Sequence, residues 1–291
     1  MIQKEEIIQT AINKTCKKNQ KLSECIVATN TIDDTLYYHD ASLTNGAGDN
    51  SYRYAGASDA VNNYVCFGSS KTSCPEDNLY RIIGVFDTQV GENQTEQRVK
   101  LIKSTSVGNK AWDSNNKNTW STSSLNTYLN NDFLNSFDET TKGNIADTTW
   151  KVGGNTYVNI ISKTPSVAYQ NEVVNPVPGS TSSNGETEYS AKVGLMYASD
   201  YGFAAASSAW TTILDDYESA NWMYLGAIEW TISRLANDSS RAFSVYPRGS
   251  VGGGQLNIVS YAHGVRPVFN LSSSVNYVSG SGTAADPISI N

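Results

Sequence analysis

Residues 79–87, "LYRIIGVFD", and residues 98–104, "RVKLIKS", read as two strands joined by a polar loop. In the second, Val99 and Leu101 alternate with Lys100, the period of a strand that buries one face. A long antiparallel hairpin is therefore expected at the centre of the fold. Residues 121–137, "STSSLNTYLNNDFLNSF", follow the other period: Leu125, Leu129 and Phe133 stand four apart, and Tyr128, Leu134 and Phe137 widen the same face. Ser121, Thr122 and Ser123 offer hydroxyls to the first free amides of this helix. Strands and helix together predict one α+β domain, a loop-rich antiparallel sheet carrying two or so helices.

Working outward, residues 26–65 are polar, with strand-like pieces at "CIVAT" and "TLYYHD". "TWKVGGNTYVNIIS" (149–162) reads as a hairpin turning at Gly153 and Gly154. Residues 163–190 read as a long surface excursion, and "KVGLMYASDYGFA" (192–204) as a return to the core. "AFSVY" (242–246), "LNIVSY" (256–261) and "GVRPVFNL" (264–271) then predict a meander of short strands, and "SGSGTAADPISI" (279–290) a turn with a last strand.

Only 17% of the 291 residues are charged and 39% are apolar, enough for a sizeable core beneath a surface rich in Asn, Ser, Thr, Tyr and Gly. A net charge of -7 argues against a broad phosphate-binding surface, so no nucleic acid is expected as partner. Lys14, Lys17, Lys18 and Lys21 read as a solvated helix end. The four cysteines form two close pairs, Cys16 with Cys25 and Cys66 with Cys74, which predicts two local disulfides and an oxidising compartment. Ile2, Ile7, Ile8, Ala11 and Ile12 make one stripe of a charged helix rather than a membrane span. Residues 1–30 are expected to form a helical stalk with a disulfide loop, the stump of a membrane anchor absent from this chain, and residues 31–291 the binding domain.

"NLYRIIGVF", "VKLIKS", "TWSTSSLNTYLNNDFLN", "TWKVGGNTY", "KVGLMYASDYGFA", "NWMYLGAIEWTISR" and "GVRPVFNL…SGSGTAADP", in this order, resemble a group of surface proteins from gut-associated Firmicutes with a C-type-lectin-like fold. The resemblance implies an extracellular, cell-surface or pilus-associated binding protein, preceded in full-length relatives by a prepilin-like anchor. It further implies a ligand-facing surface in the C-terminal strands and loops, as in the variable target proteins of diversity-generating retroelements; the matching stretch here is Ala242 to His263. The calcium and sugar tripeptides of true lectins do not occur, so calcium-dependent sugar binding is not expected. A structural pilin-like subunit and a surface-polymer hydrolase are the alternatives.

Alternation from Ala242 places Ser244 and Tyr246 toward solvent, followed by Arg248 and Ser250, with Gln255, Asn257 and Tyr261 on the next strand and His263 beyond it. These eight residues are the expected face for an unidentified protein or glycan ligand on a host or neighbouring cell. No catalytic set, cofactor or metal site is expected: the only histidines, His39 and His263, sit in polar contexts. Asp215 and Asp216, like Asp87 and Glu92, read as solvated carboxylates. "SVGGGQL" (250–256) reads as a mobile hairpin tip, and the oxygen-rich Asn45, Asp49 and Asn50 lack EF-hand spacing. The aromatics Tyr201, Trp210, Trp222, Tyr224 and Trp230 read as core. Arg266 is expected as a buried donor to loop carbonyls, and Pro267 as a limit on strand pairing to one edge.

Overall fold

The computed structural model describes residues 9–71, 73–178 and 185–291. Ile2, Ile7 and Ile8 of the expected N-terminal stripe lie outside the described residues, as does part of the 163–190 segment. The fold is α+β.

Its centre is the expected hairpin. Leu79–Gly91 pairs antiparallel with Gln94–Lys103, with Ile82 opposite Leu101 and Val85 opposite Val99. Gly84 sits at a shift in this register, where a Cβ would come 2.1 Å from the Tyr52 carbonyl oxygen. Only glycine lets Ser51–Tyr54 lie so close on this strand. Among the described residues the sheet has nine strands, extended through Tyr64–Cys66 and Ile288–Ile290 on one side and Val268–Asn270 on the other. A second sheet of five strands is built on Glu229–Arg234 and Ala242–Val245.

In the segment predicted helical, a 3-10 turn at Trp120–Thr122 precedes a helix that runs from Ser124 to Ser136, changing from α to π geometry at Leu129 and ending in a 3-10 turn. Ser123 caps it by accepting from the Asn126 amide at 3.1 Å. Leu125, Leu129 and Phe133 are buried, each contributing about 1.5–3 kcal/mol by leaving water. Tyr201, Trp210, Trp222 and Trp230 are core residues as expected, and Tyr224 packs against the core from a half-buried position.

Cys16–Cys25 and Cys66–Cys74 are disulfide-bonded, compatible with a secreted or extracellular protein. Among the described residues no helix is long and apolar enough to cross a membrane. Residues 10–30 do not stand apart as a stalk. Ile12, Leu22, Cys25 and Ile26 belong to the same core as the central hairpin, and Leu22 N–H donates to the Val275 carbonyl at 2.9 Å. "CIVAT" lies in the helix Leu22–Thr29, because Leu22, Ile26 and Thr29 share one buried helical face.

Residues 149–162 are not a hairpin. Thr148–Lys151 pairs instead with Glu188–Ala191, while Asn155 bridges to Leu235 and accepts from the Thr156 amide, turning the chain into the short helix Tyr157–Ile160. The expected excursion 163–190 opens with the packed helix Pro165–Tyr169, started by a proline at its first turn. "LNIVSY" is not a strand either: Gln255–Asn257 is a single 3-10 turn drawn inward by buried Asn257.

Arg266 is buried, but its main partner is a carboxylate. Nε and Nη2 form a two-pronged pair with Glu229 at 2.8 and 2.9 Å, and Nη2 also donates to the Met223 carbonyl at 2.5 Å. Arg81 plays the expected role instead, donating to the Val61 and Trp222 carbonyls at 3.0 and 3.1 Å. Pro267 does not restrict pairing to one edge. It precedes the first paired residue, so Val268 pairs with both Ile102 and Gly194.

Candidate functional site

Ala242–Val245 is buried on both faces, so the alternation that turned Ser244 outward does not apply. Ser244 Oγ accepts from Asn257 Nδ2 at 2.6 Å, the same nitrogen donates to the Gly252 carbonyl at 2.9 Å, and Tyr246 OH bonds Asn257 Oδ1. His263 is buried rather than exposed, its ring 4.2 Å from that of Trp230 and its Nε2 bonded to the Leu256 carbonyl at 2.7 Å. The glycine run is no mobile tip: a Cβ on Gly252 would meet the Tyr246 ring at 2.2 Å. Ser244, Tyr246, Asn257 and His263 thus build a frame. Arg248, Gln255 and Tyr261 remain exposed on it, and Ser250 is half-buried.

A cavity of about 720 Å³ opens elsewhere, between residues 49–53, the hairpin, the Thr148–Lys151 and Glu188–Ala191 strands and Tyr169. The local sequence brings charge to its floor. Arg53 stands between Tyr52 and Tyr54 and Lys100 between Val99 and Leu101, and Asp200 lies in the wholly buried helix Ala198–Ala204, where its Oδ2 accepts from the Tyr197 amide at 3.1 Å.

Arg53 Nη2 meets Asp49 Oδ2 at 2.6 Å, Arg53 Nη1 meets Asp200 Oδ1 at 3.3 Å, and Lys100 Nζ meets Asp200 Oδ2 at 2.5 Å. Arg53, Lys100 and Asp200 are each under 8% exposed, and the formal charges of two cations and two carboxylates cancel on the cavity floor. Aromatic rings close around them: the Arg53 guanidinium carbon lies 4.7 Å from the Phe86 ring and 5.1 Å from Tyr169, and Lys100 Nζ lies 4.8 Å from Tyr197.

Burial works against the Asp49 charge, but Arg53 and hydrogen bonds from Ser51 and Tyr169 hold its carboxyl well below the usual range. Burial pushes the Lys100 amine down against the pull of Asp200. Behind the wall, Glu172 is 1% exposed and burial raises its carboxyl to about 7, although it accepts from Ser199 N at 2.6 Å and from Ser233 Oγ. Its neighbours Tyr169 and Val173 line the cavity.

The mouth carries Asp87, Thr149, Ser190 and the Lys151–Glu188 pair. Among the described residues no histidine or cysteine lines the cavity. His39 is fully buried elsewhere, and desolvation with the nearby Arg53 charge lowers it to about 3. Asp215, Asp216 and Glu92 are exposed.

A family model described as a domain of unknown function, DUF6273, matches residues 96–273, more than half of the chain. The chain belongs to this family. No curated protein and no solved structure matches it. The DUF6273 region holds Lys100, Trp150, Tyr169 and Asp200, while Asp49 and Arg53 come from the preceding part of the chain.

The sequence does not reveal the cavity, because its residues come from separate stretches between Asp49 and Asn270 and share no local period. One signal was available: isolated charges flanked by apolar or aromatic residues in a charge-poor chain, Arg53 in "YRY", Lys100 in "VKLI" and Asp200 in "YASDYGFA". The same signal singled out Arg266.

Proposed function

We propose that this chain is an extracellular binding protein of the bacterial cell surface or a pilus, without enzymatic activity, built on a C-type-lectin-like frame, and that its ligand seats in the cavity walled by Phe86, Trp150 and Tyr169. The observation that carries this reading is the closed charge account of the cavity floor: its cations and carboxylates already satisfy one another, leaving a preformed, polar and aromatic space.

Acid–base turnover needs a group that changes protonation near neutral pH within reach of the substrate. Asp49 is locked in its charged form, and Glu172, the carboxyl that titrates near 7, is sealed behind the wall. The ligand class that fits is an uncharged, hydroxyl-rich one, the end of a glycan chain, meeting Thr149, Ser190 and the carboxylates of the mouth through its hydroxyls. The two disulfides and the order of lectin-like phrases support the surface assignment.

An oligosaccharide array tests this. The wild-type chain is expected to bind a defined subset of glycans, Thr149→Trp at the exposed mouth to lose that binding at unchanged melting temperature, and the bound glycan to keep its mass on long incubation. Absence of any glycan binding, or cleavage of the bound glycan, would overturn the reading.

A further inference from the structure

We propose that Lys100 and Asp200 condense into a side-chain amide, an isopeptide crosslink between the central hairpin and the helix Ala198–Ala204. The two residues stand 100 apart in sequence, yet Lys100 Nζ lies 2.5 Å from Asp200 Oδ2. Their side chains are 7% and 2% exposed, in a shell made by Phe86, Trp150 and Tyr197. This is the setting in which a lysine becomes a nucleophile, because desolvation favours the neutral amine.

The carboxyl is held for attack. Arg53 Nη1 donates to Oδ1 at 3.3 Å, where negative charge gathers when the carbonyl carbon becomes tetrahedral, and Tyr197 N–H donates to Oδ2 at 3.1 Å. The step balances within the pair. The ammonium passes one proton to Oδ2, and the amine lone pair forms the Nζ–Cγ bond as the carbonyl electrons move onto Oδ1. A second proton passes from Nζ to Oδ2, the Cγ–Oδ2 bond breaks, and water departs into the cavity that both residues line. The carbonyl re-forms on Oδ1, still facing Arg53. Ammonium and carboxylate have become amide and water, with no oxidant or co-reactant.

The exchange replaces two buried charges with a neutral group and leaves Arg53 paired with Asp49. Glu172 acts as a positioning residue. Its acceptance of the Ser199 amide fixes the turn of helix that presents Asp200.

Intact-mass spectrometry of the full, disulfide-reduced chain tests the bond without any variant. The expected mass falls short of the sequence mass by one water, and tryptic digestion yields one branched peptide containing Lys100 and Asp200, uncleaved after Lys100. Lys100→Arg is expected to restore the full sequence mass. A wild-type chain at full sequence mass, a shortfall without the branched peptide, or a shortfall retained in Lys100→Arg would each overturn the proposal and leave the pair as an ion pair.

Discussion

Two regions of this molecule gather polar side chains, and they do opposite things with them. In the 242–263 segment, Ser244, Tyr246 and Asn257 spend their hydrogen bonds on one another and on the Gly252 carbonyl, filling the space between strand and turn. In the cavity, Asp49, Arg53, Lys100 and Asp200 also satisfy one another, but around a volume of about 720 Å³ that no side chain fills. Polar satisfaction alone therefore does not mark a binding site. What separates the two regions is whether space is left once every partner has been found.

The contrast breaks most easily at its charges. Asp200→Ala removes the shared partner of Arg53 and Lys100; Arg53 keeps Asp49 but buried Lys100 is left unpaired, so a loss of about 3–5 kcal/mol is expected in urea unfolding. Arg266→Ala strands Glu229, which is equally buried, and should cost a similar amount. A loss below 1 kcal/mol at both sites would mean that these networks do not hold the fold.

A pH series sharpens the role of Glu172. Its folded carboxyl is raised from 4.5 to about 7, so between these values the native chain binds a proton that the unfolded chain has released. Its contribution is full below pH 4.5 and is lost as pH rises through 7, roughly 3 kcal/mol in all. His39 runs the other way. Lowered from 6.5 to about 3, it stays neutral in the native chain, and its contribution is lost as pH falls below 6.5. The two overlap between pH 4.5 and 6.5, so the measurement is the stability of wild type minus that of Glu172→Gln, which should fall as pH rises from 4.5 to 7 and level off above 7. A pH-independent difference would contradict the burial account of Glu172.

Within the frame, Asn257→Ala removes the hub of Ser244, Tyr246 and the Gly252 carbonyl, and about 1–3 kcal/mol should be lost in thermal melting. The smallest effect belongs to the exposed members of the same region: Arg248→Ala should change stability by less than about 0.5 kcal/mol.

What could be read from sequence follows the same division. The hairpin, the 121–137 helix, the cysteine pairs and the tryptophan core were legible, because each rests on a local period or a short spacing. The 149–162 segment was not, because the partner of Thr148–Lys151 lies about forty residues on, at Glu188–Ala191, and no local pattern names it. Ser244 was misplaced because alternation assumes one wet face, whereas both faces of Ala242–Val245 are covered. Arg266 drew attention as a lone charge in an apolar run, but its partner Glu229 lies 37 residues away and could not be named. The cavity floor was hidden for the same reason.

Hydrogen exchange with a bound oligosaccharide selected from the array tests the central claim most directly. With the ligand seated in the cavity, new protection is expected at residues 147–151 and 188–190, and Thr149→Trp, which fills the mouth, should abolish it along with binding. Protection confined to residues 246–261, surviving in Thr149→Trp and lost in Arg248→Ala/Gln255→Ala/Tyr261→Ala, would return the binding site to the C-terminal loops and contradict the account.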